Sequence, residues 1–324
     1  MNFEQFQLRQ SYEKLSKFGD RLQDFKTMIN WRKFVPIVQK CYKDNNVTGG
    51  RPHTDEMVIV RTLILQSMYN LSDPELEFQC HDRLSFRNFL EFPKSIPDFS
   101  TIWKARERIR GCGAEKKIWI ELQRQLDNKN LDIRTGVIQD ATFIHKDPGK
   151  KRQQREKMLE KDGKTPEYTE KQLSYIDQDS SYAVKNKQIH HGYKSHIKAD
   201  VDHLLIRSYD VTTASVHDNQ IDLIAEGDVA AYRDKGYFGS KLAATGVLDK
   251  TMQRATRAKK PNGGQIRRNN AISRIRSPGE RLFSVIKRVF HGWYTRVTTL
   301  ERVKIKEMFK CFTYNLYQLV TIYT

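Results

Sequence analysis

Residues 136–146, GVIQDATFIHK, constrain the fold more than any other stretch of the chain. Their apolar and β-branched residues predict a short strand, and that strand delivers one carboxylate, Asp140, into a position that should be buried. A buried acid costs several kcal/mol unless it is paired, protonated or bound to a metal. The rest of the chain must therefore supply a cation for it, as when a lysine pairs with an acid at a sheet edge, or further carboxylates that share a metal with it.

The charge balance narrows the setting. Lysine and arginine number 57 against 39 acids, a formal charge of +18 with a pI near 9.6. A chain this basic suits a polyanion, nucleic acid before an anionic membrane surface. No run approaches the ~20 apolar residues of a membrane span, and the start, MNFEQFQLRQ, lacks the basic and apolar regions of a secretion leader. An intracellular, cytoplasmic protein is expected. With 324 residues, 38% of them apolar, and a mean hydropathy of −0.71, two domains with very polar surfaces are expected. Cys41, Cys80, Cys112 and Cys311 are scattered singly, which predicts reduced, mostly buried thiols and no zinc site.

The first ~110 residues carry helical periodicity over 2–16, 31–44 and 54–69. Met57, Val58, Val60, Leu63, Ile64 and Met68 are the core candidates of the third. Ser72-Asp73-Pro74-Glu75 is a capping box, and Asp98, Ser100 and Thr101 offer caps for a helix through Ile109. Short helices joined by short turns suit a helix-turn-helix type module or any small bundle. A further helix over 118–126 leads to Gly136. Beyond it, 194–201 and 204–212 read as a hairpin. The intervening 146–188, with GKKRQQREKMLEKDGK, is expected to be a solvated polar insertion rather than a folded subdomain. Asp218 is expected to cap a helix through Glu226, and VAAY at 229–232 is a second apolar run that ends beside an acid, Asp234. A short helix over 241–248, a basic loop or edge strand over 250–270, and helices over 278–288 and 299–321 complete the pattern.

This order is α/β, in which catalytic groups sit at strand ends or on an adjacent helix. Asp140 and Asp234 fit strand ends, and Glu280 opens the helix in RSPGERLFSVIK. Three carboxylates from separate segments can hold two Mg²⁺ ions ~3.5–4 Å apart for an in-line displacement at phosphorus. No histidine or cysteine cluster competes. Glu280 also has a local reading, since Ser277-Pro278-Gly279-Glu280 is itself a capping box. Lys287 can be a solvated helix charge and Arg276 a surface one.

These residues resemble the DDE transposases of bacterial and archaeal insertion sequences, in the branch named after insertion sequence five. The first acid lies in VIQDATFI and the second in YRDKGYFG, while Arg276, Glu280 and Lys287 match the family's arginine, three residues, glutamate, six residues, lysine signature. The regions GRPHTDEMVIVRTLILQSMYNLSDPELEFQCHDRLSFRNFLEF, IPDFSTI and HHGYKSHIKADVDHLLIRSYDVTTASVHD extend the likeness over nearly the whole chain. One departure is Ser273, where the family often has tyrosine, and Pro278 argues against one unbroken helix through Arg276 and Glu280.

The resemblance implies a ribonuclease-H-like α/β catalytic core over 113–324, a mixed sheet flanked by helices. An all-helical DNA-binding or dimerisation domain over 1–112 would precede it. It implies Asp140, Asp234 and Glu280 as catalytic, metal-binding acids with two Mg²⁺ ions, Mn²⁺ as a substitute. Arg276, Lys287, Lys235 and Arg51 would contact DNA. The implied partners are double-stranded transposon ends and target DNA, bound by a homodimer with no membrane, in the nucleoid of a prokaryotic cytoplasm. A transposase-derived DNA-binding protein without strand-transfer activity is the alternative, and a nuclease of the same core that does not join strands a third reading.

Overall fold

The computed structural model describes residues 3–42, 53–149, 163, 168–173, 175–256 and 260–323. The chain divides into two compact units: Met1–Asp132 with Val289–His291 and Met308–Thr324, and Ile133–Arg288 with Gly292–Glu307.

The first unit is helical among its described residues, with α1 (Phe3–Ser16), α2 (Arg21–Met28), α3 (Val35–Gln39), α4 (Glu56–Tyr69), α5 (Asp73–Asp82), α6 (Leu84–Phe89), α7 (Phe99–Gly111) and α8 (Ala114–Asp127). Ser72 caps α5 and Asp98 caps α7, each side chain accepting from a backbone N–H three residues on. Helix α4 is buried almost all round rather than along one stripe, so its polar residues need partners. Arg61 pairs with Glu91 at 2.8 Å and lies over the Trp31 ring, and Gln66 accepts from Arg106, whose guanidinium also grips Asp73 at 2.7 and 2.8 Å. Two of the four expected thiols are not free. Cys41 and Cys112 form a disulfide across a sequence separation of 71, while Cys80 and Cys311 are free and buried. The fold brings the ends of α3 and α7 together, which sequence spacing does not reveal.

The second unit is built on a six-stranded sheet, β1 (Val137–His145), β2 (Ser181–Lys185), β3 (Gln188–Asp200), β4 (Ile206–Thr213), β5 (Ala230–Arg233) and β6 (Leu248–Thr251). The order is β2-β3-β1-β5-β6, with β4 also paired to β3. Strand β1 runs antiparallel to β3 and parallel to β5, which is parallel to β6, so the sheet is mixed. Asp140 is thus on a central strand and not at a sheet edge. Helix α9 (Glu170–Leu173) and β2 both fall inside the expected polar insertion, whose C-terminal end is therefore ordered sheet. β2 is short, exposed and charged at its end, as an edge strand requires.

Three expected helices differ. Asp218–Gln220 is only a 3₁₀ turn, capped by His217, and 241–248 forms turns that lead into β6. The helix expected over 278–288 is instead the end of α10 (Gly263–Ser284), which continues into a π-helical turn, Val285–Val289. Its start is a capping box at Asn262 and Gln265, not at Ser277. Pro278 sits inside α10, where the ring leaves the Arg274 carbonyl without an N–H donor; Ser277 Oγ donates to that carbonyl at 3.0 Å instead. One helix therefore does carry both Arg276 and Glu280. The last helix, α11 (Leu300–Tyr323), falls where it was expected.

Strand β3 buries polar side chains that alternate along one face, and each finds a partner. Lys194 pairs with Asp218 at 2.8 Å, Lys198 with Asp228 at 2.8 Å and Asp200 with Arg207 at 2.9 Å. His196 Nε2 lies 2.9 Å from Thr212 Oγ1, and burial pushes its imidazole down to about 4, with Asp218 and Asp210 opposing the shift and Lys194 adding to it. A histidine held neutral by folding contributes stability above its ordinary value of ~6.5 that is lost as pH falls toward 4. On the order of 3 kcal/mol of unfolding free energy should disappear between pH 7 and pH 4 for this reason. Urea unfolding of the wild type and His196→Gln at both pH values checks it: the variant should show the smaller loss.

Candidate active site

The carboxyl end of β5 meets the first half of β1, where the parallel register of the two strands ends. Gln139 is the last residue of β1 paired with β5, opposite Arg233, so Asp140 and Asp234 are the next position on neighbouring strands about 4.8 Å apart. They share the sheet face that carries Ile138 and Tyr232. Helix α10 lies over that face, with Ile272 packed among Ile138, Ala230 and Tyr232. Gly279 is buried on the same helix and faces Ile138, to which a Cβ there would make an ordinary contact at 3.4 Å. This packing brings Arg276 onto Asp140.

The Asp140 side chain is 30% exposed. Its Oδ1 accepts from Ala141 N at 2.8 Å and its Oδ2 from Arg276 Nη2 at 2.9 Å. Burial pushes the carboxyl up from its ordinary range; Arg276 opposes the shift and the negative charge of Asp234 adds to it. Asp234 Oδ1 accepts from Gly236 N at 2.7 Å and caps the 3₁₀ turn Lys235–Tyr237, so the backbone fixes this carboxylate. Gly236 leaves room for it, because a Cβ would stand 2.9 Å from Asp234 Oδ1.

Among the other expected site residues, Lys287 is half-buried in the π-helical turn. Burial pushes its ammonium down, Lys185 adds to that shift and Asp140 opposes it, so Lys287 lies within the electrostatic reach of the first acid. Lys235 is exposed beside Asp234. Glu280 follows Arg276 by one turn of α10 and is exposed, with no ion-pair partner among the described residues. Arg51 lies outside the described residues. Among the described residues no group of three histidines, cysteines, aspartates or glutamates stands close enough to hold a metal ion. Asp140, Asp234 and Arg276 are brought together, and Glu280 is not gathered with them.

Tyr237 was not singled out from the sequence, although it stands three residues after Asp234 in YRDKGYFG. It is fully buried. Burial pushes the phenol up, and the charges of Asp140, Asp218 and Asp234 add to the shift. A tyrosine ring beside the two acids thus forms part of the wall behind them.

The residues fit a hard divalent cation. Both juxtaposed donors are carboxylates, and the burial that chiefly raises Asp140, with the charge of Asp234 added to it, is what a bound cation would offset.

A mixed sheet of this order, flanked by helices and carrying one acid within β1 and another just past the end of the adjacent β5, is a ribonuclease-H-like core. A family model described as Transposase DDE domain matches residues 132–316, more than half of the chain, and one described as Transposase domain (DUF772) matches residues 10–108. The chain belongs to the DDE transposases of insertion sequences, enzymes that act on DNA. No curated protein and no solved structure matches it. No helix among the described residues is long and apolar enough to cross a membrane.

Proposed function

We propose that this transposase, of the branch named after insertion sequence five, binds the inverted terminal repeats of its element, cleaves the DNA there and joins the freed 3′-hydroxyl to target DNA. The observation that carries the reading is the in-register pair Asp140 and Asp234, with Arg276 on the first of them. Asp140 and Asp234 would hold Mg²⁺, with Glu280 joining them from α10, and Mn²⁺ could substitute. When bound, two such ions activate the attacking oxygen and stabilise the leaving oxygen of an in-line displacement. The same acids serve hydrolysis and joining, because the two steps differ only in which hydroxyl attacks.

The chain's own residues do the positioning. Arg276 presents a planar fork suited to a phosphate and is held ready by Asp140. Lys287 and Lys235 would serve as point charges for the DNA backbone, and Arg51 is assigned a DNA contact from the sequence alone. Two DNA ends must be brought together, and a homodimer is the simplest assembly that does so. The N-terminal helical region, residues 1–112, is assigned to DNA binding or dimerisation.

The test is a duplex carrying the DNA that flanks the coding region. With Mg²⁺ the protein should cut it at the repeat and join the cut end to a second duplex, and with EDTA it should do neither. Binding without any cutting would favour a transposase-derived DNA-binding protein, and cutting without joining of pre-cleaved ends a nuclease.

A further inference from the structure

Strand β6 is the last of the sheet on its side, so the backbone groups of its outer edge meet no further strand. The N–H groups of Leu248 and Met252 donate inward to the Val229 and Arg233 carbonyls, which turns the backbone of Asp249, Thr251 and Gln253 outward. Two side chains of α10 meet that edge. Arg268 donates from Nη1 to the Thr251 carbonyl at 2.8 Å and from Nη2 to the Asp249 carbonyl at 3.2 Å. Asn269 is buried; its Oδ1 accepts from Gln253 N at 2.8 Å and its Nδ2 donates to Gln253 O at 2.9 Å, the pair of bonds an antiparallel strand would make.

We infer that Arg268 and Asn269 are positioning residues for DNA cleavage: they fix α10 along its axis, and so the seat of the Arg276 guanidinium on Asp140. The inference rests on the transposase reading and deepens it.

Apolar packing does not set that position by itself. Ile272 packs among Ile138, Ala230 and Tyr232, with Ile275 and Met252 against the same cluster. Such contacts are non-directional, so a helix held by them alone can slide or roll at little cost, whereas the hydrogen bonds to β6 and Gln253 are directional and resist both. Seven residues separate Asn269 from Arg276, two turns and about 10 Å along α10, so both face the sheet and a shift at one is carried to the other. The strand side is tied as firmly. Thr251 Oγ1 accepts from Arg233 Nε at 2.9 Å, and Arg233 directly precedes Asp234. Through β6, the helix that carries Arg276 is joined to the strand that ends beside Asp234.

The test uses the full chain. Asn269→Leu keeps the volume and a good helix former while removing both bonds to Gln253, and Arg268→Met keeps the stem without its donors. At saturating DNA, Asn269→Leu should cut an end-containing duplex about 10²-fold more slowly than wild type and Arg268→Met about tenfold more slowly. DNA affinity of Asn269→Leu should stay within about threefold of wild type, because the buried amide touches no DNA. Each substitution is repeated in an Arg276→Ala background. Positioning through Arg276 leaves little further loss there, whereas general loosening of the fold multiplies the two losses. A readout without activity is the distance between nitroxide labels at Arg274→Cys on α10 and Val184→Cys on β2, which should shift or broaden in Asn269→Leu. If Asn269→Leu does not fold, Arg268→Met is read by the same criteria. The proposal is overturned if the folded variants cut as fast as wild type, or if the losses multiply with that of Arg276→Ala. Cutting by wild type with an unmoved label distance in the variants removes the positioning role alone, whereas a moved distance with no cutting by wild type removes the transposase reading and leaves the clamp.

Discussion

Asp140→Asn should abolish Mg²⁺-dependent cleavage of end-containing DNA, with a loss on the order of 10³-fold or more, while affinity for the same DNA is retained or rises. The substitution is nearly isosteric. An asparagine oxygen can still accept from Ala141 N, as Asp140 Oδ1 does at 2.8 Å, so β1 keeps this local bond. What is lost is the negative charge. The Arg276 guanidinium, now 2.9 Å from Asp140 Oδ2, is released toward phosphate, which is why binding should not fall. Asp234→Asn should behave alike in cleavage, since its bond from Gly236 N also survives with a neutral acceptor. Gel-shift titration and a cleavage assay on one preparation separate the two effects. Equal cleavage by wild type and Asp140→Asn would sink the catalytic role of that acid.

Why these two acids are legible in the sequence while other parts of the site are not follows from how each is encoded. Asp140 and Asp234 each end or interrupt a short apolar run, and such a run announces a buried strand whatever surrounds it. The family resemblance points to Arg276 as a DNA contact; that its guanidinium stands 2.9 Å from the first acid is a pairing that only the folded chain reveals. The helix that carries Arg276 departs from expectation for a local reason. Ser277-Pro278-Gly279-Glu280 has the chemistry of a helix start, and a proline there is ordinarily an interruption. The true start at Asn262 lies in a glycine-containing basic stretch with the composition of a loop, and the Ser277 hydroxyl that satisfies the Arg274 carbonyl is visible only in three dimensions.

The sheet is hidden differently. Strand β3 buries Lys194, His196, Lys198 and Asp200, and polar residues in such number argue against burial until their partners are known. Those partners, Asp218, Thr212, Asp228 and Arg207, come from elsewhere in the chain, so only the fold supplies them. The same holds for the Cys41 and Cys112 disulfide. Local patterns therefore carry the helical first region and the strand ends, whereas whatever depends on distant pairing emerges only from the folded chain.

Gly192→Val should cost at least about 3 kcal/mol of stability and lower the melting temperature by roughly 10 °C, without touching any acid of the site. Gly192 lies in β3, opposite His145 of β1 and Ser181 of β2, so it joins three strands at one point. Its φ of +134° is one that L side chains rarely adopt, and a Cβ there would meet Ile144 O at 2.3 Å and Lys146 N at 2.9 Å. Both are backbone atoms of β1 and its continuation, so no rotamer change relieves the clash; the strands must part. Gly239→Ala is the control. Gly239 also has positive φ, +91°, but nothing lies within 4 Å of the position a Cβ would take, so that change carries only the conformational penalty of about 1–2 kcal/mol. Thermal unfolding of the two variants should rank them in that order. Because β1 runs from Val137 to His145, loosening it at Gly192 also loosens the strand that carries Asp140, and cleavage should fall with stability in Gly192→Val but not in Gly239→Ala.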